Sequence, residues 1–81
     1  MDTSDSRFDG KRIFKANSAS SAVYDIRGRY LHAASTASQP EYEIRGNHIY
    51  RAHRASQAEF DIRGTKIHKA NSASMAIYEI R

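Results

Sequence analysis

The sequence predicts an all-β fold made of four tandem β-hairpins, and three observations carry that prediction. A string of acid, Ile, Arg and Gly recurs at residues 25–28, 43–46 and 61–64, and the chain stops at Arg81 in the same frame. Apolar and polar residues alternate within the units, as at residues 58–62, and β-branched and aromatic residues fill the apolar places. Helix is the alternative because alanine is plentiful, but the units leave no apolar stripe at helical spacing.

The repeat divides the chain into units 9–26, 27–44, 45–62 and 63–80 without insertions or deletions, so each unit is one structural module. We expect residues 1–8 to form an N-terminal tail with the start of a first strand, and residues 9–81 to form a single hairpin-repeat domain. Several columns hold the same kind of residue in every unit: Gly10, Gly28, Gly46 and Gly64; Ile13, Leu31, Ile49 and Ile67; Ser20, Ser38, Ser56 and Ser74; Tyr24, Tyr42, Phe60 and Tyr78; and Ile26, Ile44, Ile62 and Ile80.

Each unit contains two connections. The junction of Arg, Gly and a third residue, as at Gly28, is typical of a two-residue hairpin turn of type II′, whose first residue needs the positive φ that Gly adopts readily. The second connection, as at residues 71–74, is longer and rich in Asn and Ser, whose side chains bond the local backbone. We interpret the serine column as turn caps.

A two-residue Gly turn determines the register of each hairpin. It places Ile26 opposite Leu31, and the equivalent pairs of later units, in an aliphatic row on one face. Cation–π contact, or packing of a basic stem on a ring, suits the aromatic–basic pairs. The remaining predicted pairs are Asp25 with His32, Glu43 with Tyr50, Asp61 with His68, Tyr42 with Arg51, and Phe60 with Lys69.

The two ends of the chain leave the repeat incomplete. Phe8 falls where Ile stands in later units, so we expect it to begin a truncated strand, and Ile80 ends a strand that has no successor. An exposed sheet edge is a template for pairing with another chain. Either the first and last strands meet to close a ring, or neighbouring chains cover them.

Size and composition favour self-association. A chain of 81 residues buries a modest core, and with no cysteine it has neither disulfides nor thiolate zinc ligands to add stability. We therefore expect a homo-oligomer, with a trimer preferred. The N-terminus lacks the apolar run of a signal peptide, and no stretch reaches the roughly 18 apolar residues of a transmembrane helix. A cytoplasmic protein without a membrane partner is the expectation.

Residues 45–52 (RGNHIYRA) and the strand that ends in Tyr78-Glu79-Ile80 resemble the short hairpin repeats of bacterial β-flower proteins. Those repeats read roughly Gly-Asn-Lys-Ile-Tyr-Lys-Gly, a Ser-rich turn and a Tyr-x-Ile strand, and the resemblance spans residues 9–81. The chain departs from the family pattern at Ala52 and its equivalents, where Gly is expected, and in its Ala/Ser-rich turns. The resemblance implies hairpins that radiate like petals in a homo-oligomer, and it implies no activity.

The acid–His pairs are the nearest candidates for catalytic groups, because a carboxylate can orient a neighbouring imidazole. In the equivalent places Tyr50 and Phe14 replace the imidazole, so we interpret the pairs as structural and expect no enzymatic activity. The histidines show no metal-ligand spacing, no serine lies in a Gly-x-Ser-x-Gly elbow, and the glycines cannot form a phosphate loop. We expect no cofactor.

Aromatic residues that interleave with basic ones are the candidate ligand or interface residues, and such residues are enriched in subunit interfaces. We therefore expect a non-enzymatic self-assembling protein with a pocket or funnel for a small amphipathic or aromatic molecule. The alternative is a nucleic-acid- or anion-binding module, given the net charge of +4; a hydrolase built on an Asp–His pair is the third hypothesis. The first set is Tyr24, Tyr42, Phe60, Tyr78, His32, Tyr50, His68, Arg51 and Lys69, and the second is Arg27, Arg29, Arg45, Arg51, Arg54, Lys66 and Lys69.

Overall fold

A computed structural model describes residues 4–17, 21–35, 39–52, 57–71 and 75–81. The fixed serines of the longer connections, at positions 20, 38, 56 and 74, lie outside these ranges, as does Arg54. The described elements are a 3₁₀ helix, Ser4–Ser6, and eight strands: β1 Arg12–Lys15, β2 Tyr24–Arg27, β3 Tyr30–Ala33, β4 Tyr42–Arg45, β5 His48–Arg51, β6 Phe60–Arg63, β7 Lys66–Lys69 and β8 Tyr78–Ile80. No helix in the described ranges is long and apolar enough to cross a membrane.

The eight strands form one closed antiparallel barrel, in which every strand pairs with its neighbours in the chain and β1 pairs with β8. Of the two ways to complete the repeat, the chain therefore uses the first: its own ends meet. Arg12 and Arg81 exchange backbone hydrogen bonds of 3.0 and 2.8 Å. Because closure removes sheet edges, no second chain is needed to cover them.

The predicted hairpin register is confirmed. Ile26 faces Leu31, and the pairs Asp25 with His32, Glu43 with Tyr50, Asp61 with His68, Tyr42 with Arg51 and Phe60 with Lys69 all stand opposite one another. In the fourth hairpin, made of β8 and β1, Ile80 faces Ile13 as Ile26 faces Leu31. The barrel is thus four equivalent hairpins, of which three are joined by a Gly turn and one is assembled from the two ends of the chain.

The Gly turns have the backbone that the sequence predicts. The φ angles of Gly28, Gly46 and Gly64 are +65°, +62° and +65°, whereas the residue after each of them has a negative φ. This combination of signs is the one that a type II′ turn requires. The longer connections begin with a left-handed residue, at Asn17, Ser35 and Asn71, where φ is 59°, 62° and 58°.

The interior of the barrel is filled by one aliphatic side chain from each strand. All eight are at most 4% exposed: Ile13, Ile26, Leu31, Ile44, Ile49, Ile62, Ile67 and Ile80. An eight-stranded barrel has an interior just wide enough for side chains to fill. The Ile columns therefore form the core, as the alternation of the sequence predicts.

The prediction that Phe8 begins a strand is wrong. The chain turns there instead, with a bond of 3.1 Å from the amide of Asp9 to the carbonyl of Ser6 and one of 3.0 Å from the amide of Lys11 to the carbonyl of Phe8. The first strand begins at Arg12. Phe8 is 8% exposed and packs against the aliphatic core. Burial of the ring, rather than strand pairing, determines its position.

Candidate functional site

The barrel has two different ends, which we name the turn end and the mouth. The turn end carries the Gly turns at residues 10–11, 28–29, 46–47 and 64–65. The mouth carries the longer connections and the first residues of β2, β4, β6 and β8, namely Tyr24, Tyr42, Phe60 and Tyr78.

At the mouth the four aromatic side chains form a closed ring above the aliphatic core. Neighbouring rings meet edge to face, with centroid distances of 5.7, 5.8, 5.9 and 6.2 Å around the circle. Edge-to-face contact at this range is favourable because the positive edge of one ring meets the negative face of the next. The rings occupy the place of the funnel considered from the sequence, and the described residues enclose no pocket.

The hydroxyl groups of this ring interact with one another. Partial burial, together with the nearby Tyr42, Tyr78 and Glu41, raises the pKa of Tyr24 to about 12, and Tyr24 is hydrogen-bonded to Tyr42. Both effects favour the protonated phenol. Phe60 interrupts the ring of hydroxyls, so the mouth is less symmetric in its polar groups than in its packing.

Basic side chains stand at the mouth where β1, β5 and β7 end. Lys15, Arg51 and Lys69 are all exposed, and Ala33 takes the fourth equivalent place. The guanidinium carbon of Arg51 lies 5.7 Å from the centroid of Tyr42, which confirms the cation–π contact expected for this pair. Three of the four hairpins thus place a cation beside the aromatic ring.

The acid before the last Ile of each unit, which we call the acid column, has a structural role that the sequence did not indicate. Its members are Asp25, Glu43, Asp61 and Glu79. Each acid sits at a seam between two hairpins and meets a basic group across it, which links neighbouring hairpins through side chains as well as backbone. Glu43 is the most buried, at 6% exposed. The contacts are Asp25 with Arg12 at 3.1 Å, Glu43 with Arg29 at 3.0 Å, Asp61 with His48 at 2.7 Å, and Glu79 with Lys66 at 3.3 Å.

The seam contacts show which imidazole lies against the Asp61 carboxylate. His48, which the sequence analysis did not select, is the imidazole that lies 2.7 Å from the Asp61 carboxylate, through its Nδ1 atom. His32 and His68 stand on the outer wall, half-buried, with Tyr50 in the equivalent place. Among the described residues no group of three or more His, Asp or Glu is arranged to hold a metal ion.

The outer wall also stacks cations on aromatic rings. The guanidinium carbon of Arg45 lies 4.9 Å from the centroid of Tyr50, and that of Arg81 lies 5.0 Å from the centroid of Phe14. In each pair the arginine stands at equivalent places of two hairpins, the end of β4 and the residue after β8, and the ring lies on the adjacent strand. These aromatic faces are therefore already covered by the chain's own guanidinium groups.

At the turn end, two carboxylates of the N-terminal segment accept hydrogen bonds from turn amides. The Gly28 amide donates to Oδ1 of Asp9, and the Gly46 amide donates to Oδ1 of Asp5, each at 2.7 Å. Arg7 donates from Nη1 to the Gly46 carbonyl at 3.1 Å. The N-terminal segment thus contacts two neighbouring Gly turns, that of Gly28 and that of Gly46, at this end of the barrel.

The residues singled out from the sequence are therefore divided between places. Tyr24, Tyr42, Phe60 and Tyr78 come together at the mouth with Arg51 and Lys69, whereas His32, Tyr50 and His68 lie apart on the wall. Sequence reasoning missed Asp5 and Arg7, which precede the first unit, and Asp9, whose place in the later units is taken by arginine. The signal available was two aspartates four positions apart, directly before Gly10.

Comparison with protein-family models, with curated proteins and with solved structures found no match for this chain. The resemblance to β-flower repeats thus stays a prediction, and the function is argued from the geometry of the two ends.

Proposed function

We propose that the protein is a non-enzymatic binding module whose turn end recognises anionic groups. The observation that carries the proposal is the pair of 2.7 Å hydrogen bonds from the Gly28 and Gly46 amides to the carboxylates of Asp9 and Asp5. Hydrogen bonds to an ionised acceptor are shorter and stronger than neutral ones. The same repeat element therefore serves twice, in one chain, as a donor to a carboxylate.

The charge at this end supports the proposal. An arginine precedes Gly28, Gly46 and Gly64, and in the fourth hairpin Arg81 holds the same position after β8. Both exposed cations Lys11 and Arg63 make no ion pair with any described residue. Cations that no carboxylate neutralises attract anionic partners and speed their association. The arginines are Arg27, Arg45, Arg63 and Arg81.

We favour an acidic segment of a protein as the partner. The segment that the turn end already holds is a peptide, and it is recognised by polar contacts that suit peptides: a carboxylate on a turn amide, and Arg7 on the Gly46 carbonyl and, at 3.0 Å, on the Asn47 side chain. A nucleic acid would instead need exposed aromatic faces for base stacking. The wall rings Phe14 and Tyr50 are each covered by an arginine.

The test is fluorescence anisotropy with a labelled Asp/Ser-rich peptide and a labelled single-stranded oligonucleotide of equal charge, at several salt concentrations. We expect the peptide to bind, and the double variant Lys11→Gln/Arg63→Gln to weaken binding several-fold. The matched control is Lys15→Gln/Lys69→Gln, which removes the same charge at the mouth and leaves peptide binding near the wild-type value.

Two results would overturn this proposal. One is equal weakening by the two double variants, which would show a response to net charge alone. The other is an absence of peptide binding at low salt. Tighter binding of the oligonucleotide than of the peptide would replace the protein partner by a nucleic acid, and the slope of affinity against salt would then count the phosphates contacted.

A second candidate function is supported by the mouth, where a half-buried aromatic ring stands beside three exposed cations. These groups suit a small amphipathic anion, or a second copy of the chain, as in the homo-oligomer that the β-flower resemblance implies. Native mass spectrometry at low micromolar concentration tests the second copy. A folded monomer would contradict self-association. An anionic dye that binds Phe60→Ala as tightly as the wild type would contradict a ligand site at the mouth.

A further inference from the structure

We infer that the third Gly turn, at Gly64 and Thr65, is a binding site for a carboxylate or phosphate group that comes from outside the described chain. The inference rests on the proposed function and assigns it to one place. It follows from the comparison of three turns that are equivalent in backbone and differ in what lies on them.

The three turns present their glycine amides in the same way. Their glycine φ angles agree within 3°, and each turn follows the same Ile-to-aliphatic pair of the hairpin. Asp9 accepts the bond from the first amide and Asp5 from the second. The Gly64 amide is exposed, and no described residue accepts a hydrogen bond from it. The repeat has thus built the same donor a third time.

For two of these donors the second residue of the preceding turn is basic. For the first turn this residue is Lys11, and for the second it is Arg29, whose Nη1 lies 3.6 Å from Oδ2 of Asp5. The equivalent residue for the third turn is Asn47, which is neutral. Its Oδ1 atom accepts a hydrogen bond of 3.0 Å from Arg7 Nη2, so a guanidinium group stands there as well.

The third turn therefore has a glycine amide to which no described residue is bonded. The strand before it is bonded through the Ile62 amide to Asn47, whose side chain holds the Arg7 guanidinium. A backbone amide and a guanidinium group together suit an anionic oxygen, as in carboxylate and phosphate sites. A carboxylate from an acidic partner segment and a phosphate from a modified one share this chemistry. The site is shallow and solvated, so we expect binding in the millimolar range for a single small anion and tighter binding for a multivalent segment.

The chain offers a direct readout, because it contains four glycines and each belongs to a different turn position. The full-length protein labelled with ¹⁵N is titrated with sodium acetate and, separately, with inorganic phosphate at constant ionic strength. We expect the Gly64 amide resonance to shift and saturate, and those of Gly28 and Gly46 to stay nearly in place. Saturation by one anion and not the other identifies the source of the anionic group.

Matched variants give the controls. Asp5→Ala uncovers the second turn, so its Gly46 amide should begin to titrate as the Gly64 amide does. Arg7→Gln removes the guanidinium group and should weaken binding at Gly64 several-fold. Lys15→Gln removes an exposed cation at the mouth, away from the Gly turns, and should leave the Gly64 titration unchanged.

A Gly64 amide that does not titrate, or equal linear drifts of all four glycine amides, would overturn the inference. Asp2 lies outside the described residues, so Asp2→Asn is included. In Asp2→Asn the Gly64 resonance could move without added anion and titrate only in that variant. This result would show that Asp2 supplies the carboxylate, and it would also overturn the inference. If the acidic peptide binds but the Gly64 resonance does not respond, the inference is wrong and the proposed function still holds. If the peptide does not bind, both the inference and the proposed function are wrong.

Discussion

The two ends of the barrel are closed by different means. At the mouth, four aromatic side chains from one column of the repeat complete the packing, in an arrangement with the symmetry of the hairpins. At the turn end a single residue from outside the repeat, Phe8, covers the core, and charged neighbours hold it in place. A repeat can therefore close one end by itself, while the other end depends on a segment without symmetry.

That asymmetry has a functional consequence. One short segment does not cover three equivalent turns: the carboxylates of Asp9 and Asp5 accept hydrogen bonds from two of the glycine amides, and no described residue accepts one from the third. In the aromatic ring of the mouth and the cations beside it, the hairpins differ by two side chains among the described residues, Phe60 in place of a Tyr and Ala33 in place of a cation. The turn end is thus the place where equivalent elements acquire different roles.

The largest effect is expected from Phe8→Ala, because the ring is 8% exposed and belongs to the core. Truncation of a buried Phe costs about 3–5 kcal/mol of unfolding free energy. Urea denaturation measures it. The matched change at the mouth is Phe60→Ala, which should cost roughly half as much because Phe60 is only half-buried and its neighbours can close in. Equal losses would show that the two ends are closed in the same way.

The next effect concerns the seams, where burial differs between acids of the same column. Glu43→Gln removes the charge of a carboxylate that is 6% exposed and faces Arg29 and Arg45. We expect a loss of about 1–3 kcal/mol, because a buried charged network loses its centre. Glu79→Gln, at a seam with a more exposed carboxylate, should change stability much less, because solvent screens an exposed ion pair. The same denaturation midpoints decide between these outcomes, and the reverse order would contradict the role assigned to burial.

A smaller effect is expected from Asp9→Ala, which removes the acceptor of the Gly28 amide at the turn end. The loss should be about 1 kcal/mol, since the freed amide can bond to water. Its control is Glu59→Ala, an acid near the mouth, for which we expect a change within about 0.5 kcal/mol. If thermal and urea unfolding give the same loss of stability for the two variants, the carboxylate–amide contacts do not stabilise the turn end.

The smallest effect belongs to the mouth and appears only in alkali. Because the pKa of Tyr24 is raised from 10.0 to about 12, the folded protein keeps a proton that the unfolded chain has lost. Stability is then complete below pH 10 and falls as the pH rises toward 12. Tyr24→Phe should flatten this decline. Urea midpoints measured across that window test the prediction, and equal slopes for the wild type and the variant would refute it.

The fold was largely predictable because the same turn and strand signals recur in every unit of the repeat. The Gly turns, the hairpin register and the aliphatic core follow from the period of two and from the φ that only Gly adopts easily, and all are confirmed. The repeat did not decide whether β1 would meet β8 or another chain, because that pairing has the same local pattern in both cases. Phe8 was misplaced since it falls in frame with the Ile column although its surroundings are not a strand.

The candidate site was less predictable. The aromatic column could be recognised from the sequence, and the mouth brings its members together. The seam contact of His48 with Asp61 depends on the register between hairpins, which a hairpin-by-hairpin reading does not supply. The carboxylate–amide contacts join Asp5 to a turn 41 positions away, and nothing local in the sequence indicates such a distance.

The claim that the turn end, and not the mouth, binds anionic partners is tested most directly by an acidic peptide that carries a nitroxide spin label at one end. Paramagnetic broadening of the protein's amide resonances reports which end the bound label approaches. The account predicts strong broadening at Gly64, Thr65 and Lys11 and little at Ala33 and Ala70, which lie toward the mouth. Broadening that is centred on Ala33 and Ala70, or spread evenly over both ends, would contradict it.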